Sequence, residues 1–208
     1  MQKPNYGKML DDKLAELEKN GEKPRLMLHA CCAPCSSHTL LFLYGHFDIT
    51  VYFCNPNIAP EEEYLYRKSE LKRLISELGL DVAVIDEDYD PAPFYELAKG
   101  LEDLPERGER CRRCIAYRLR KTGEMARRNG CDYFTTTLTI SPHKDCEYIN
   151  ECGRATAEEC GVAYLFSDFK KHDGYKHSIE LSRQYGLYRQ NYCGCVYSRR
   201  GAPAGDSR

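Results

Sequence analysis

The chain has 208 residues, 42% apolar and 30% charged, and its net charge of −2 does not favour nonspecific binding to polyanions. No apolar stretch is long enough to cross a membrane and the polar first residues lack a secretory signal, so we expect a cytoplasmic protein of one domain. A reducing cytoplasm excludes most structural disulfides, and the twelve cysteines therefore indicate metal binding or redox chemistry.

The apolar pattern predicts a series of strands separated by helices. Strands are expected at residues 25–30, 48–54, 82–86, 133–137 and 162–166, and helices at 36–45, 60–78, 94–99, 111–129, 147–159 and 177–185. This alternation predicts right-handed crossovers and a single α/β domain, with a mainly parallel five-stranded sheet and helices on both faces. We expect an N-terminal extension at residues 1–24, the α/β domain at 25–200 and a disordered tail at 201–208.

Candidate functional residues follow three of the predicted strands. Cys31-Cys32 comes directly after the first strand, Asn55-Pro56-Asn57 after the second, and the loop at Ser141-Pro142 after the fourth. Ligands of parallel α/β sheets bind just beyond the carboxyl ends of the strands. The sequence therefore predicts a functional site at this edge of the sheet.

Most of the chemistry indicated by the sequence lies in three cysteine clusters. Each cluster is separated from the next by roughly eighty residues, so only folding can bring them together. Their members are Cys31, Cys32 and the nearby Cys35, then Cys111 and Cys114, then Cys193 and Cys195. If the clusters converge, they offer more sulfur than a structural zinc needs. This surplus favours an iron–sulfur cluster with a reactive group beside it.

The spacing within each cluster permits more than one chemistry. Cys111 and Cys114 at a helix start suit two thiolates bound to one centre, and a thioredoxin-like disulfide is the alternative. Adjacent Cys31 and Cys32 are expected to point in different directions and to serve either different centres or one cluster and one reacting group, with Pro34 stiffening the turn. The Cys193-Gly194-Cys195 segment is too tight for an unstrained disulfide, and it suits either a redox pair or ligands to neighbouring metals.

Several polar and aromatic residues are candidates for contacts with a nucleic acid. Net charges of +7 over residues 107–128 and +5 over residues 169–208 place basic stretches around two of the cysteine clusters. Ser141 and Lys144 suit a phosphate or ribose, although ordinary loop chemistry explains them equally well. Aromatic and polar side chains at residues 188–192 could stack on an unpaired base or bond to it, or be packing residues. His29 is a buried histidine, with a proton-donor role as the minority interpretation.

Several ordered motifs together resemble the QueH family of epoxyqueuosine reductases. The first is Leu28-His29-Ala30-Cys31-Cys32-Ala33-Pro34-Cys35-Ser36, followed by the segments at 52–58, 110–114, 134–138 and 141–144. The closing stretch from 169 to 198, which includes Tyr188-Arg189-Gln190-Asn191-Tyr192-Cys193-Gly194-Cys195, resembles the most specific motif of the family. The resemblance covers roughly residues 25–200. It implies a Rossmann-like or HUP-like α/β domain.

The resemblance also implies an activity and its cofactors. The reaction is the last step of queuosine biosynthesis, in which a two-electron reduction converts epoxyqueuosine at the wobble position of tRNA to queuosine and releases water. The implied cofactor is a [4Fe-4S] cluster without cobalamin, beside a second metal that two cysteines and the residue at Cys35 bind. Some relatives carry aspartate at this position, and cysteine is a softer ligand, so the resemblance leaves the identity of the second metal open.

From the resemblance we expect each clustered cysteine to hold a metal centre. The expected cluster ligands are Cys31 or Cys32, Cys111, Cys114 and one of the last pair, for which we take Cys193. The second, mononuclear iron takes Cys32, Cys35 and Cys195 and acts as a Lewis acid, while His29 or a tyrosine supplies the proton. In the alternative, Cys193 and Cys195 form a redox-active disulfide and there is no second metal.

The expected partners are tRNA and an electron donor that the sequence does not identify, as it does not identify the oligomeric state. The tRNA-contact candidates are Arg110, Arg112, Arg113, Ser141, Lys144, Lys170, Lys171, Tyr188, Arg189, Gln190 and Tyr192. Two other functions remain open: a zinc-stabilised RNA-binding module without catalysis, and a thiol–disulfide oxidoreductase that does not act on tRNA. Neither of them explains the ordered set of motifs.

Overall fold

The five strands form one sheet in the order β3-β2-β1-β4-β5, and every neighbouring pair is parallel. The computed structural model describes residues 3–199. Its strands are β1 Arg25–His29, β2 Asp48–Phe53, β3 Ala83–Asp86, β4 Tyr133–Thr136 and β5 Ala163–Tyr164. The predicted single α/β domain with a parallel five-stranded sheet is confirmed, and its strand order is that of doubly wound nucleotide-binding folds.

Eight α-helices surround the sheet within the described residues. They are α1 Tyr6–Asn20, α2 Ala33–Leu43, α3 Glu61–Glu77, α4 Ala92–Ala98, α5 Glu109–Arg128, α6 Cys146–Cys160, α7 Gly174–Gln184 and α8 Val196–Arg199. Helix α2 begins three residues earlier than expected, because Pro34 is well accommodated in the first turn of a helix. Cys35 therefore belongs to the helix. None of the helices formed by residues 3–199 is long and apolar enough to span a membrane.

Alternating side chains of β1 build two apolar layers, one on each face of the sheet. Leu26 and Leu28 pack into one buried cluster, while Met27 packs into the cluster on the other face. Successive side chains of a strand point to opposite faces, so a strand buried on both faces is apolar throughout. This central strand fixes the position of the Cys31-Cys32 segment that follows it.

Helix α1 was not indicated by the sequence patterns. The Asn5 side chain accepts a hydrogen bond from the Lys8 N–H at its start, and Gly21 ends it in the left-handed conformation. Leu10, Leu14 and Leu17 on its buried face join the same apolar cluster as β1. The division at residue 25 stays a prediction, and the expected tail lies outside the described residues.

The strand order reverses direction between β1 and β4. Chain connections leave these two neighbours toward opposite sides of the sheet, which opens a crevice at their carboxyl ends. The Cys31 N–H donates to Thr137 Oγ1 at 3.3 Å, and this bond joins the loop after β1 to the turn after β4. The edge of the sheet at which the sequence predicts a functional site therefore contains the topological switch point.

Candidate functional site

Three thiols of the first cysteine motif meet at the carboxyl end of β1. The sulfur atoms of Cys31, Cys32 and Cys35 all lie within 4.8 Å of one another. The adjacent Cys31 and Cys32 have their Sγ atoms 3.7 Å apart, so the two side chains reach a common point rather than diverging as expected from the sequence. This group could hold a metal ion.

The local structure favours a negative charge on this thiol group. Hydrogen bonds from Cys32 and Cys35, together with the nearby Arg118 charge, hold the pKa of the Cys31 thiol well below its usual value. Hydrogen bonding to Cys31 raises the pKa of both Cys32 and Cys35. Cys35 also lies in the first turn of α2, where the helix dipole is positive. The arrangement therefore stabilises one thiolate among three thiols.

The remaining clustered cysteines line a second, smaller cavity next to the first. Its lining contains Cys111 and Cys114 from the start of α5 together with Cys193 and Cys195 from the last cluster. Cys193 also lines the larger cavity, which contains Cys31, Cys32 and Cys35. All seven thiols of the three predicted clusters therefore face two adjoining cavities, as the sequence required for a shared site.

The loop after β2 holds the last cysteine cluster in place. Asn57 Nδ2 donates to the Cys193 carbonyl at 3.4 Å, and the Ala59 N–H donates to the Gly194 carbonyl at 3.0 Å. Gly194 has a φ of 106°, and a Cβ atom there would lie 2.9 Å from Ile58 Cγ1. Glycine is needed at this position because both the backbone conformation and the close approach exclude a side chain.

The two cysteines beside Gly194 differ in the charge state that their surroundings favour. Hydrogen bonding from Cys195 and the charge of Lys144 lower the pKa of Cys193 well below its usual value, and Ser198 Oγ lies 3.1 Å from its sulfur. The pKa of Cys195 is raised, chiefly by hydrogen bonding to Cys193 and by burial. Both residues are free thiols. Cys193, which faces both cavities, is the better thiolate of the pair.

Arg118 is a central residue of the site that the sequence patterns did not single out. It lines both cavities and is 5% exposed. Its Nε donates to His29 Nε2 at 3.2 Å, and its Nη2 donates to Asn55 Oδ1. Arg118 follows Cys114 by one helical turn, so the helical spacing of the α5 cysteines was the signal that could have found it.

His29 is buried behind the thiols and positions Arg118. His29 Nε2 lies 3.2 Å from both Arg118 Nε and the Cys54 carbonyl, and Nδ1 lies 2.8 Å from Thr136 Oγ1. A bond from Arg118 requires an unprotonated Nε2 and so a proton on Nδ1. Burial and the Arg118 charge lower the pKa of His29 to about 3, so the ring is neutral at pH 7. His29 lines neither cavity. These surroundings fit a positioning residue rather than the predicted proton donor.

The larger cavity has a volume of about 260 Å³, and five of the predicted tRNA contacts line it. Those present in its lining are Ser141, Lys144, Arg189, Gln190 and Tyr192. Burial favours the neutral form of Lys144, but the charges of Cys193, Cys111 and Glu106 outweigh it and raise the pKa. His143, from the 141–144 motif, also lines this cavity, as do Arg67, Glu106, Tyr175 and Ser178, which the sequence patterns did not indicate.

Other predicted contacts lie outside the larger cavity. Arg110 is 2% exposed, and its Nη1 donates to the carbonyls of Leu101, Glu102 and Leu104, so it fastens the preceding loop. Arg113 is exposed and pairs with Glu109, and Lys170 pairs with Asp168. The Tyr188 ring packs against Tyr66 with a centroid distance of 5.1 Å. Their roles in binding tRNA stay predictions.

The fold and the site define a class: an α/β protein of the doubly wound type whose switch point is lined with thiols. Residues 26–201 match the model of the family described as "Epoxyqueuosine reductase QueH". A protein of that name from Streptococcus pyogenes serotype M1 is 44% identical over 201 residues, which are 95% of this chain and 79% of the relative. One from Staphylococcus epidermidis is 43% identical over 203 residues, 95% of this chain and 85% of the relative. The chain belongs to the QueH family.

Proposed function

We propose that this chain is an epoxyqueuosine reductase that forms queuosine at the wobble position of tRNA. The reaction takes two electrons and two protons, breaks both C–O bonds of the epoxide, forms a C=C bond and releases the oxygen as water. The observation that carries the proposal is the convergence of three separate cysteine clusters on two adjoining cavities at the switch point. The names of the relatives, which cover most of the chain, support the same activity.

The donor set fits an iron–sulfur cofactor. Thiolates are the ligands that iron–sulfur clusters use, and seven of them exceed the four that one cluster requires. We propose that Cys111, Cys114, Cys193 and one of Cys31 or Cys32 hold a [4Fe-4S] cluster, without cobalamin. Cys35, within 4.8 Å of both Cys31 and Cys32, would bind a second iron together with Cys32. The third proposed ligand, Cys195, lies outside that group and lines the smaller cavity.

When bound, the cluster supplies electrons one at a time and the second iron polarises the epoxide oxygen. Lys144 is our candidate for the residue that donates a proton to the departing oxygen. It lines both cavities, and a lysine is ordinarily protonated at neutral pH. His29 is neutral and lines neither cavity, so we assign it to holding Arg118 in position.

The larger cavity has the charge and size expected for an extruded nucleotide. Arg67, Arg118, Lys144 and Arg189 contribute positive charge to its lining, and Tyr175 and Tyr192 contribute aromatic rings. Unpaired bases of RNA are recognised by such stacking surfaces and phosphate contacts. We propose that the wobble base enters here, with Arg189 and Tyr188 at the last cysteine motif contacting the anticodon loop. Binding should weaken as salt concentration rises.

The test is chemical analysis of protein purified without oxygen, followed by turnover. We expect about four acid-labile sulfides and four or five irons per chain. Epoxyqueuosine-containing tRNA, incubated with the protein and a chemical reductant, should yield queuosine on nucleoside analysis. Zinc without sulfide would support a zinc-stabilised RNA-binding module instead. Reversible oxidation of Cys193 and Cys195 with no response to tRNA would support a thiol–disulfide oxidoreductase.

A further inference from the structure

Three buried arginines surround the site, and their partners differ. Arg67 is 2% exposed and pairs with the Glu63 carboxylate at 2.6 Å. Arg110 donates to backbone carbonyls, as described above. Arg118 is different because its protein partners are the neutral His29 ring and the Asn55 amide. Within residues 3–199 it forms no ion pair with an acidic side chain.

A buried cation is costly in a folded protein unless an anion lies near it, and Arg118 has no carboxylate partner among the described residues. The Arg118 side chain is nevertheless held in one position from two sides. His29 is fixed by Thr136, and Asn55 is fixed by its own hydrogen bond of 2.9 Å to the Ala30 carbonyl. Arg118 Nη1 donates to no other group among the described residues, while the side chain lines both thiol cavities. The fold thus directs a positive charge with an open donor toward the thiols.

We propose that Arg118 is the counter-cation of the thiolate-bound cofactor and raises its reduction potential. This inference rests on the proposed function, since it requires an iron–sulfur centre among these thiols. Adding an electron makes such a centre more negative, and a fixed positive charge beside it favours the reduced form. Net charge, burial and hydrogen bonding to the sulfurs are the main determinants of cluster potentials. His29 and Asn55 act through Arg118 as positioning residues.

The experiment compares Arg118→Gln with Arg120→Gln in protein purified without oxygen. Arg120 is exposed, lies on the same helix and loses the same charge, so it is the matched control. Reductive titration followed by electron paramagnetic resonance measures the midpoint potential of each. We expect Arg118→Gln to shift the midpoint to a more negative value, Arg118→Lys to shift it less, and Arg120→Gln to leave it unchanged.

An unchanged midpoint in Arg118→Gln, with full iron and sulfide content, overturns the inference and leaves the proposed function standing. Absence of sulfide from the wild-type protein overturns both. If Arg118→Gln does not assemble a cluster, the midpoint potential of Asn55→Ala is the test instead. This change removes the Nη2 bond while keeping the charge, and we expect a smaller negative shift. A midpoint equal to wild type in Asn55→Ala then counts against Arg118 as the counter-cation.

Discussion

The two thiol cavities differ in size and in the other residues that line them beside the cysteines. The larger one, about 260 Å³, combines three thiols of the first motif and Cys193 with cationic, aromatic and hydroxyl side chains. The smaller one, about 20 Å³, surrounds Cys111, Cys114, Cys193 and Cys195, with Phe94 and Ile115 in its lining. The first has room for a nucleotide base, whereas the second encloses sulfur ligands. Our proposal therefore has the substrate bind in the larger cavity, while the cysteines of the smaller one supply cofactor ligands.

The boundary between the cavities is formed by residues that belong to both. Cys193, Arg118 and Lys144 line each of them. A thiolate, a fixed cation and a proton-bearing amine therefore lie between the expected cofactor and the expected substrate. This placement suits a reaction in which electrons and protons must reach the same oxygen atom of the substrate. Substitutions that affect one cavity alone can separate the two assignments.

The largest effect is expected in the smaller cavity. In Cys114→Ser a hydroxyl replaces a buried thiol, and serine is a poor ligand for iron–sulfur clusters. We expect loss of acid-labile sulfide and of queuosine formation to below detection. Cys160→Ser is the control, because this buried thiol lies at the end of α6 and lines neither cavity. Full sulfide content in Cys114→Ser would show that the smaller cavity does not retain the cluster.

A smaller effect is expected for the ligands assigned to the second metal. Cys35 lines only the larger cavity and Cys195 only the smaller, so a metal that takes both must bridge them. We expect Cys35→Ser and Cys195→Ser each to lose about one iron per chain with sulfide content unchanged. Iron analysis by mass spectrometry measures this loss. Full iron retention in Cys195→Ser would favour the redox-active disulfide of Cys193 and Cys195.

The next prediction concerns the backbone at Gly194, between the two cysteines of the last cluster. Gly194→Ala places a Cβ at a φ of 106° and 2.9 Å from Ile58 Cγ1. We expect the free energy of unfolding to fall by about 1–3 kcal/mol, from backbone strain. Gly45→Ala is the matched control, since nothing lies within 4 Å of the added atom there. Denaturant unfolding of both variants checks this, and equal stability would contradict a required glycine at 194.

The smallest effect is on the pH dependence of stability, and it involves a histidine contact between α2 and α7. Helix α7 carries Tyr175 and Ser178 into the larger cavity, and His38 Nδ1 of α2 lies 3.0 Å from His177 Nδ1 of α7. Burial and the neighbouring His177 lower the pKa of His38 from its usual value of 6.5 to about 4. The unfolded chain thus binds this proton more readily than the folded chain. Stability is therefore lost as pH falls from about 6.5 toward 4.

Between pH 7 and pH 5 the expected loss from His38 is about 1–2 kcal/mol, allowing for solvent screening. Urea unfolding at the two pH values measures it. His38→Gln should lose less stability over this interval than the wild type. His172→Gln, at an exposed histidine paired with Asp11, should behave like the wild type. Identical pH dependence in His38→Gln and wild type would exclude His38 as the source.

Apolar patterns and residue spacing were enough to predict the strands, most helices and the edge at which the site forms. Apolar runs such as Leu26–Leu28 must be buried on both faces of a parallel sheet, and the residues after β1, β2 and β4 must then lie at one edge. The spacing of the cysteines within each cluster can also be read directly from the sequence, because it involves only residues that are close in the chain. For these features the sequence signal was sufficient. Helix α1 was missed although its signal is local: Leu10, Leu14 and Leu17 repeat at helical spacing between a capping Asn5 and Gly21.

Local patterns do not show which of the charged residues line the cavities. Arg110, Arg113 and Arg118 lie on one helix within a few residues of the same cysteines, and composition does not distinguish them. Folding buries Arg110 against a loop, leaves Arg113 paired at the surface, and directs Arg118 toward both cavities. Arg110 and Arg113 take partners within nine residues of themselves in the chain, whereas the partners of Arg118, His29 of β1 and Asn55 after β2, are remote from it. Long-range packing, which no local pattern contains, therefore sets the role of Arg118.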